Sequence, residues 1–178
     1  MSETLEPALP KDLDQLAERL MRRVCDAKLM VATAESCTGG MLASLLTDID
    51  GAGHGFDRGF VTYDPVSKQD LLGLTPEMTE RNSAVTAAVA RAMAEGALQN
   101  SNADITLSVT GFAGPGGEGS EEGLVHFGCG RRNRTTMLRE EHFGAIGRGP
   151  VRIAALRALL EMLEAAIDEH DAVETKNG

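Results

Sequence analysis

Residues 29–40 read Leu-Met-Val-Ala-Thr-Ala-Glu-Ser-Cys-Thr-Gly-Gly, and this stretch decides the fold. Its first six residues, 29–34, form a short apolar run of the kind that occupies a buried strand. The two glycines at its end then open a helix, which we expect to run from Gly40 to about Thr47. A strand that passes directly into a helix is the building unit of α/β domains.

The rest of the chain continues this alternation of helices and strands. Leucine and valine side chains between Leu13 and Val24 lie 3 or 4 residues apart, which predicts a helix, and similar spacing recurs from Ile153 to Ile167. The other predicted elements are strands at 59–63 and 105–109, helices at 66–72 and 87–98, and an antiparallel pair at 124–129 and 135–142. We therefore expect a single α/β domain over residues 11–168, a three-layer α/β/α sandwich with a mixed sheet. A flexible leader would precede it at residues 1–10, and a polar tail would follow at 169–178.

The composition argues against several classes of protein. The 178 residues carry 27 acidic and 17 basic side chains, a net charge of -10, which argues against direct binding of nucleic acid. Three cysteines (Cys25, Cys37 and Cys129) are too irregular for a disulfide framework, and no apolar run reaches the length of a membrane span. We therefore expect a cytoplasmic protein without a membrane partner. Because histidines and cysteines show no zinc-like spacing, we expect no metal and no other cofactor.

Ligands of α/β folds usually bind where strand ends meet helix starts, and segments 34–40, 63–68 and 110–117 have that character. In the first segment, glycines and a helix start offer backbone N–H donors that favour an anion, including the oxyanion of an acyl-transfer intermediate. Ser36 is a candidate nucleophile there, although Ser36 or Thr38 could simply cap the helix. Cys37 is a second candidate nucleophile, or else a small buried residue.

A serine nucleophile needs a base, and none of the four histidines has a spacing that points to Ser36. Lys68, five residues after Tyr63, is the competing candidate. Burial or a cationic neighbour would lower the pKa of its amine and make it a usable base. Tyr63 could relay a proton or orient the amine. The alternative is a surface lysine after a tyrosine at a strand end.

The third segment, residues 110–117, is rich in glycine and could wrap a phosphate or a ribose with backbone donors. Arg148 and Arg152, near the start of the last helix, are candidate clamps for an anion. Alternatively, the segment is a mobile turn and both arginines are exposed.

Together these segments resemble the CinA C-terminal domain family, whose standalone members include nicotinamide-nucleotide amidases. The resemblance runs from about Leu16 to Leu163. The motifs that carry it, in chain order, are Thr33–Gly40, Phe56–Tyr63 followed by Lys68, Ala84–Thr86, Met93–Ala97 and Thr110–Pro115.

The resemblance implies an amidohydrolase that converts nicotinamide mononucleotide to nicotinate mononucleotide and ammonia without a metal. It implies Ser36 as the nucleophile and Lys68 as the base, with Tyr63 assisting. Under this scheme the oxyanion would lie at the amides of Thr38, Gly39 and Gly40. The substrate phosphate would lie among Thr110, Gly111, Ala113, Gly114 and Arg148.

A second hypothesis keeps the pocket but not the turnover. The chain would then be a non-catalytic regulatory module that binds a pyridine nucleotide and releases no ammonia. A third idea, a partner in DNA transformation, comes only from the competence-related family name, and the net charge of -10 argues against direct DNA binding. Helices rich in small residues hint at a homodimer or a higher homo-oligomer.

Overall fold

The structure is a computed structural model that describes residues 9–80, 84–115 and 119–177, without the side chains of residues 174, 176 and 177. The predicted leader lies outside the described residues except for Leu9 and Pro10. Leu9 is buried against the core rather than loose. Ser83, and residues 116 and 117 of the glycine-rich segment, also lie outside the described part of the chain.

These residues form five strands and six α-helices. In chain order they are α1 (Lys11–Asp26), β1 (Val31–Glu35), α2 (Met41–Thr47), β2 (Phe56–Val61), α3 (Pro65–Leu72), α4 (Pro76–Thr79), α5 (Ala87–Gln99), β3 (Ile105–Gly111), β4 (Leu124–Arg131), β5 (Met137–His142) and α6 (Arg148–Asn177).

The strands form one mixed sheet in the order β2-β1-β3-β4-β5. Strands β1, β2 and β3 are parallel because helices connect them, whereas the short turn between β4 and β5 makes that pair antiparallel. Since β2 and β3 lie on opposite sides of β1, the direction of winding reverses next to the carboxyl end of β1. Such a reversal opens a crevice in α/β sheets, and this crevice is where ligands bind.

Helices cover both faces of the sheet, which confirms the three-layer α/β/α architecture. Helices α1, α2 and α6 bury one apolar cluster, and α3 and α5 bury the other. Strand β1 lies between the two layers, and all five of its residues are buried. Helix α5 approaches the sheet closely, because the hydroxyls of Thr106 and Ser108 donate to the Ala94 and Ala90 carbonyls at 2.8 and 2.6 Å.

The predicted polar tail is helical up to Asn177, since α6 continues to that residue. Ion pairs with distant elements hold its polar extension. Arg23 of α1 lies 2.8 Å from Asp168 and 2.7 Å from Asp171, and Arg131 of β4 lies 2.7 Å from Glu169. Across the described residues, no helix combines the length and the apolar character that a membrane span would require.

Candidate active site

The carboxyl ends of β1, β2 and β3 meet at one edge of the sheet. In the strand register Glu35 lies between Val61 of β2 and Val109 of β3. Two main-chain hydrogen bonds extend this pairing past the strand ends: Ser36 N–H donates to the Val109 carbonyl at 3.1 Å, and Thr62 N–H donates to the Glu35 carbonyl at 2.8 Å. The three segments singled out in the sequence are therefore neighbours in space.

Ser36 and Lys68 form a hydrogen-bonded pair at this edge, with Lys68 Nζ 3.1 Å from Ser36 Oγ. Lys68 reaches this place because α3 starts and stops sharply. The Asp64 carboxylate caps the helix by accepting from Val66 N–H at 2.8 Å, and Gly73 ends it in a left-handed conformation with φ 71°. One helical turn after the cap, the Lys68 side chain points inward and is only 3% exposed.

Burial also changes the pKa of Lys68. Loss of hydration lowers the pKa of Lys68 below its ordinary value, while the nearby carboxylate of Asp64 and the thiol of Cys37 oppose that change. A lower pKa increases the neutral fraction of the amine, and only the neutral amine can accept a proton. The pair therefore has the geometry and the electrostatics of a nucleophile with its general base.

Tyr63 meets Lys68 through its main chain, not its ring. The Tyr63 carbonyl accepts from Lys68 Nζ at 3.4 Å, whereas the side chain is 66% exposed. This orientation follows from the end of β2, which stops at Val61 and leaves Tyr63 on the outer edge of the sheet. In this arrangement the phenol is not placed to relay a proton, and the contribution of Tyr63 to the pair is a carbonyl acceptor for the amine.

Cys37, the alternative nucleophile, is buried beside Ser36. Burial raises the pKa of its thiol to about 12, so the group stays protonated at neutral pH. A thiol in that state is a poor nucleophile. The small-buried-residue interpretation of Cys37 therefore fits the structure better than the catalytic one.

Glu35 is a residue of the site that the sequence analysis did not select. Its carboxylate is fully buried and accepts four hydrogen bonds from the turn and helix that follow it. The donors are Thr38 Oγ1 at 2.7 Å, Gly40 N at 3.2 Å, Leu42 N at 3.0 Å and Ala43 N at 2.8 Å. A carboxylate just before a helix that begins without a side-chain cap is the signal that could have revealed it.

These contacts bear on the predicted oxyanion donors Thr38, Gly39 and Gly40. Gly40 N–H already donates to Glu35, and Gly39 N–H donates to the Ser36 carbonyl at 3.2 Å. Both glycines have left-handed backbones, with φ values of 93° and 64°, which is how the chain makes this tight turn. Both amides would have to exchange partners before either could stabilise an oxyanion.

Several residues of the predicted phosphate-binding segment, 110–114, make contacts that stabilise the fold. The Thr110 hydroxyl donates to the Ala84 carbonyl at 2.9 Å. Gly111 packs so closely on β4 that an added Cβ would lie 2.8 Å from the Leu124 carbonyl oxygen. Ala113 is buried in the core. Gly114 differs, because the Arg148 guanidinium lies against it, 3.1 Å from where a Cβ would be. The structure thus brings Arg148 to this segment.

Arg152, one turn after Arg148 on α6, instead contacts residues 36–40, the turn that carries Ser36 and is called the serine turn below. Its Nε donates to the Cys37 carbonyl at 2.8 Å. The two arginines therefore lie on either side of the space between the serine turn and Gly114. In the described part of the chain, no group of three or more His, Cys, Asp or Glu side chains is arranged to hold a metal ion.

The fold and the site define an α/β domain that carries a serine–lysine pair at the edge where its sheet reverses direction. A family model described as the CinA C-terminal domain matches residues 13–167, and the chain belongs to that family.

Known relatives agree with this assignment. The chain is 39% identical over 135 residues to a CinA-like protein of Leptospira borgpetersenii, covering 75% of this chain and 32% of that protein. A CinA-like protein of Chlorobaculum tepidum is 41% identical over 158 residues, covering 84% of this chain and 37% of that protein. The chain thus spans about a third of the length of the curated relatives it matches.

Solved structures share the whole fold. The competence/damage inducible protein CihA from Agrobacterium tumefaciens superposes with a TM-score of 0.85 at 42% identity, covering 94% of this chain and 99% of that one. A CinA superfamily protein from Escherichia coli gives a TM-score of 0.79 at 32% identity, covering 91% and 98%.

Proposed function

We propose that the chain is a metal-independent amidohydrolase that converts nicotinamide mononucleotide to nicotinate mononucleotide and ammonia. The observation that supports it most is the buried Lys68 amine, 3.1 Å from the Ser36 hydroxyl. A serine in contact with a lysine whose pKa is lowered by burial is suited to acyl transfer.

In the first half of the reaction, neutral Lys68 takes the proton of Ser36. Ser36 Oγ then attacks the carboxamide carbon, and the carbonyl oxygen takes up the negative charge of a tetrahedral intermediate. When this intermediate collapses, the C–N bond breaks and the leaving nitrogen takes the proton from Lys68, so that ammonia departs. The nucleotide is left as an ester on Ser36.

In the second half, water replaces the amide nitrogen. Lys68 accepts a proton from the water, and the resulting hydroxide attacks the ester carbon. Collapse of the second intermediate breaks the C–O bond to Ser36, which recovers its proton from Lys68. The product leaves Ser36 as the carboxylic acid, which loses its proton to solvent to become the carboxylate, and the enzyme returns to its starting protonation state.

The substrate phosphate would lie beside Gly114 and Arg148, since this guanidinium is exposed at the edge of the crevice and Arg152 is already bound to the Cys37 carbonyl. A guanidinium matches the geometry of a phosphate group. The homodimer and the cytoplasmic location suggested by the sequence remain predictions.

Ammonia release from nicotinamide mononucleotide, compared with nicotinamide riboside, tests this proposal. The riboside lacks the phosphate, so we expect a higher KM for it, and we expect Arg148→Met to remove the difference between the two compounds. Binding of nicotinamide mononucleotide without any ammonia release would instead support the non-catalytic regulatory module. No binding of either compound would contradict both hypotheses.

A further inference from the structure

The fully buried Glu35 carboxylate has no part in the hydrolysis scheme above, yet it has more hydrogen-bonding partners than any side chain at this edge. A buried carboxylate is costly unless its oxygens are well paired. Here one oxygen accepts from Thr38 Oγ1, Gly40 N and Leu42 N, and the other accepts from Ala43 N. All four donors lie between two and seven residues after Ser36.

We propose that Glu35 is the positioning residue of the catalytic pair, which holds Ser36 at hydrogen-bonding distance from Lys68. This inference rests on the proposed function, because Glu35 acts only through Ser36. It assigns no contact between Glu35 and substrate.

Glu35 contacts both segments that carry the catalytic pair. Its side chain fastens the turn that carries Ser36, and its main-chain carbonyl accepts from Thr62 N–H at 2.8 Å, at the start of the segment that leads to Lys68. Rotation of the Ser36 turn is therefore opposed at the residue directly before it. Charge-assisted hydrogen bonds of this kind are short and stronger than neutral ones.

The negative charge of the Glu35 carboxylate also disfavours binding of a phosphate at the turn that carries Ser36. The free N–H groups of a helix start attract anions, but those of α2 already have an internal one. A phosphate at the serine turn would meet the negative charge of Glu35 in a buried setting.

The test replaces the charge and keeps the shape. Glu35→Gln is compared with Glu95→Gln, which alters a carboxylate on α5 that accepts from the Thr136 hydroxyl at 2.8 Å. The readouts are the rate at which a fluorophosphonate phosphonylates Ser36 with loss of fluoride, followed by intact-protein mass, and kcat and KM for nicotinamide mononucleotide. Circular dichroism confirms that each variant is folded.

We expect Glu35→Gln to slow phosphonylation by about tenfold or more and to lower kcat more than it changes KM, because the serine is misplaced by a fraction of an ångström or more. Glu95→Gln keeps the wild-type rates. Folded Glu35→Gln that is phosphonylated as fast as the wild type would overturn the inference.

If Glu35→Gln does not fold, Glu35→Asp carries the same test, since it keeps the charge and shortens the reach by one methylene. Phosphonylation slower than wild type supports the inference, and equal rates overturn it. A wild-type protein that is phosphonylated but does not hydrolyse the nucleotide would refute the proposed substrate and leave the role of Glu35 testable. A wild-type protein that is neither phosphonylated nor active would overturn both.

Discussion

Gly96 of α5 sets the distance between α5 and α3, the helix that carries Lys68. A Cβ at this position would overlap the Leu72 carbonyl oxygen and lie 2.9 Å from the carbonyl carbon. Restoring a tolerable contact requires these two helices to separate by about 1 Å. Because α3 is short and regular, a displacement of that size is transmitted to Lys68 and can lengthen its 3.1 Å contact with Ser36 to about 4 Å.

Gly96→Ala is therefore expected to reduce activity far more than stability. Overpacking costs roughly 1–3 kcal/mol, and alanine returns about 1 kcal/mol of helix propensity, so the free energy of unfolding falls by at most about 2 kcal/mol. A misplacement of about 1 Å costs on the order of 100-fold in rate. The assays are urea unfolding and ammonia release from nicotinamide mononucleotide.

Gly53→Ala is the matched control, because an added Cβ there has no neighbour within 4 Å. It should keep both stability and turnover. Gly96→Ala with wild-type turnover would refute the reasoning, since it would mean that α3 can move without disturbing the pair, or that the pair has no role in turnover.

Three further predictions concern the charges around Ser36. Asp64→Asn keeps the cap of α3 but removes the charge that raises the pKa of Lys68, so the acidic limb of the kcat/KM–pH profile should move to lower pH; a limb that stays in place contradicts this. Lys68→Met should abolish turnover. Near pH 7 the same variant should unfold at a higher temperature than the wild type. Burial lowers the Lys68 pKa in the folded state, so between the folded and unfolded pKa values the unfolded chain binds more protons and wild-type stability rises with pH. The thermal advantage should therefore shrink as pH rises toward 10.5, and an advantage independent of pH would speak against this cause. Cys37→Ala should keep wild-type turnover because the buried thiol, with its pKa raised to about 12, is not the nucleophile; loss of turnover in a folded variant would show otherwise.

The layout of the fold could be read from the sequence because its signals are local. Residues 29–40 change from a buried strand to a glycine turn and a helix, and the structure has β1 and α2 there. Once parallel strands are expected, their carboxyl ends must share one edge. That topological rule places Ser36 near the segment that carries Lys68, although the two are far apart in the sequence.

The details that were missed depend on contacts between distant elements. A lone glutamate resembles a surface residue, and the burial of Glu35 becomes favourable only when Thr38, Leu42 and Ala43 supply donors. Whether the ring or the carbonyl of Tyr63 faces Lys68 depends on where β2 ends. Likewise, the polar end of α6 is helical because partners such as Arg23, far away in the sequence, form ion pairs with it.

Ammonia release from nicotinamide mononucleotide by wild type, Ser36→Ala and Lys68→Ala is the most direct measurement of the proposed chemistry. We expect turnover in the wild type and a loss of several orders of magnitude in each variant, since members of one catalytic unit each account for most of the rate enhancement. Each variant should remain folded and still bind the nucleotide. Wild-type turnover in folded Ser36→Ala, or nucleotide binding without any ammonia release in the wild type, would contradict the serine–lysine amidase.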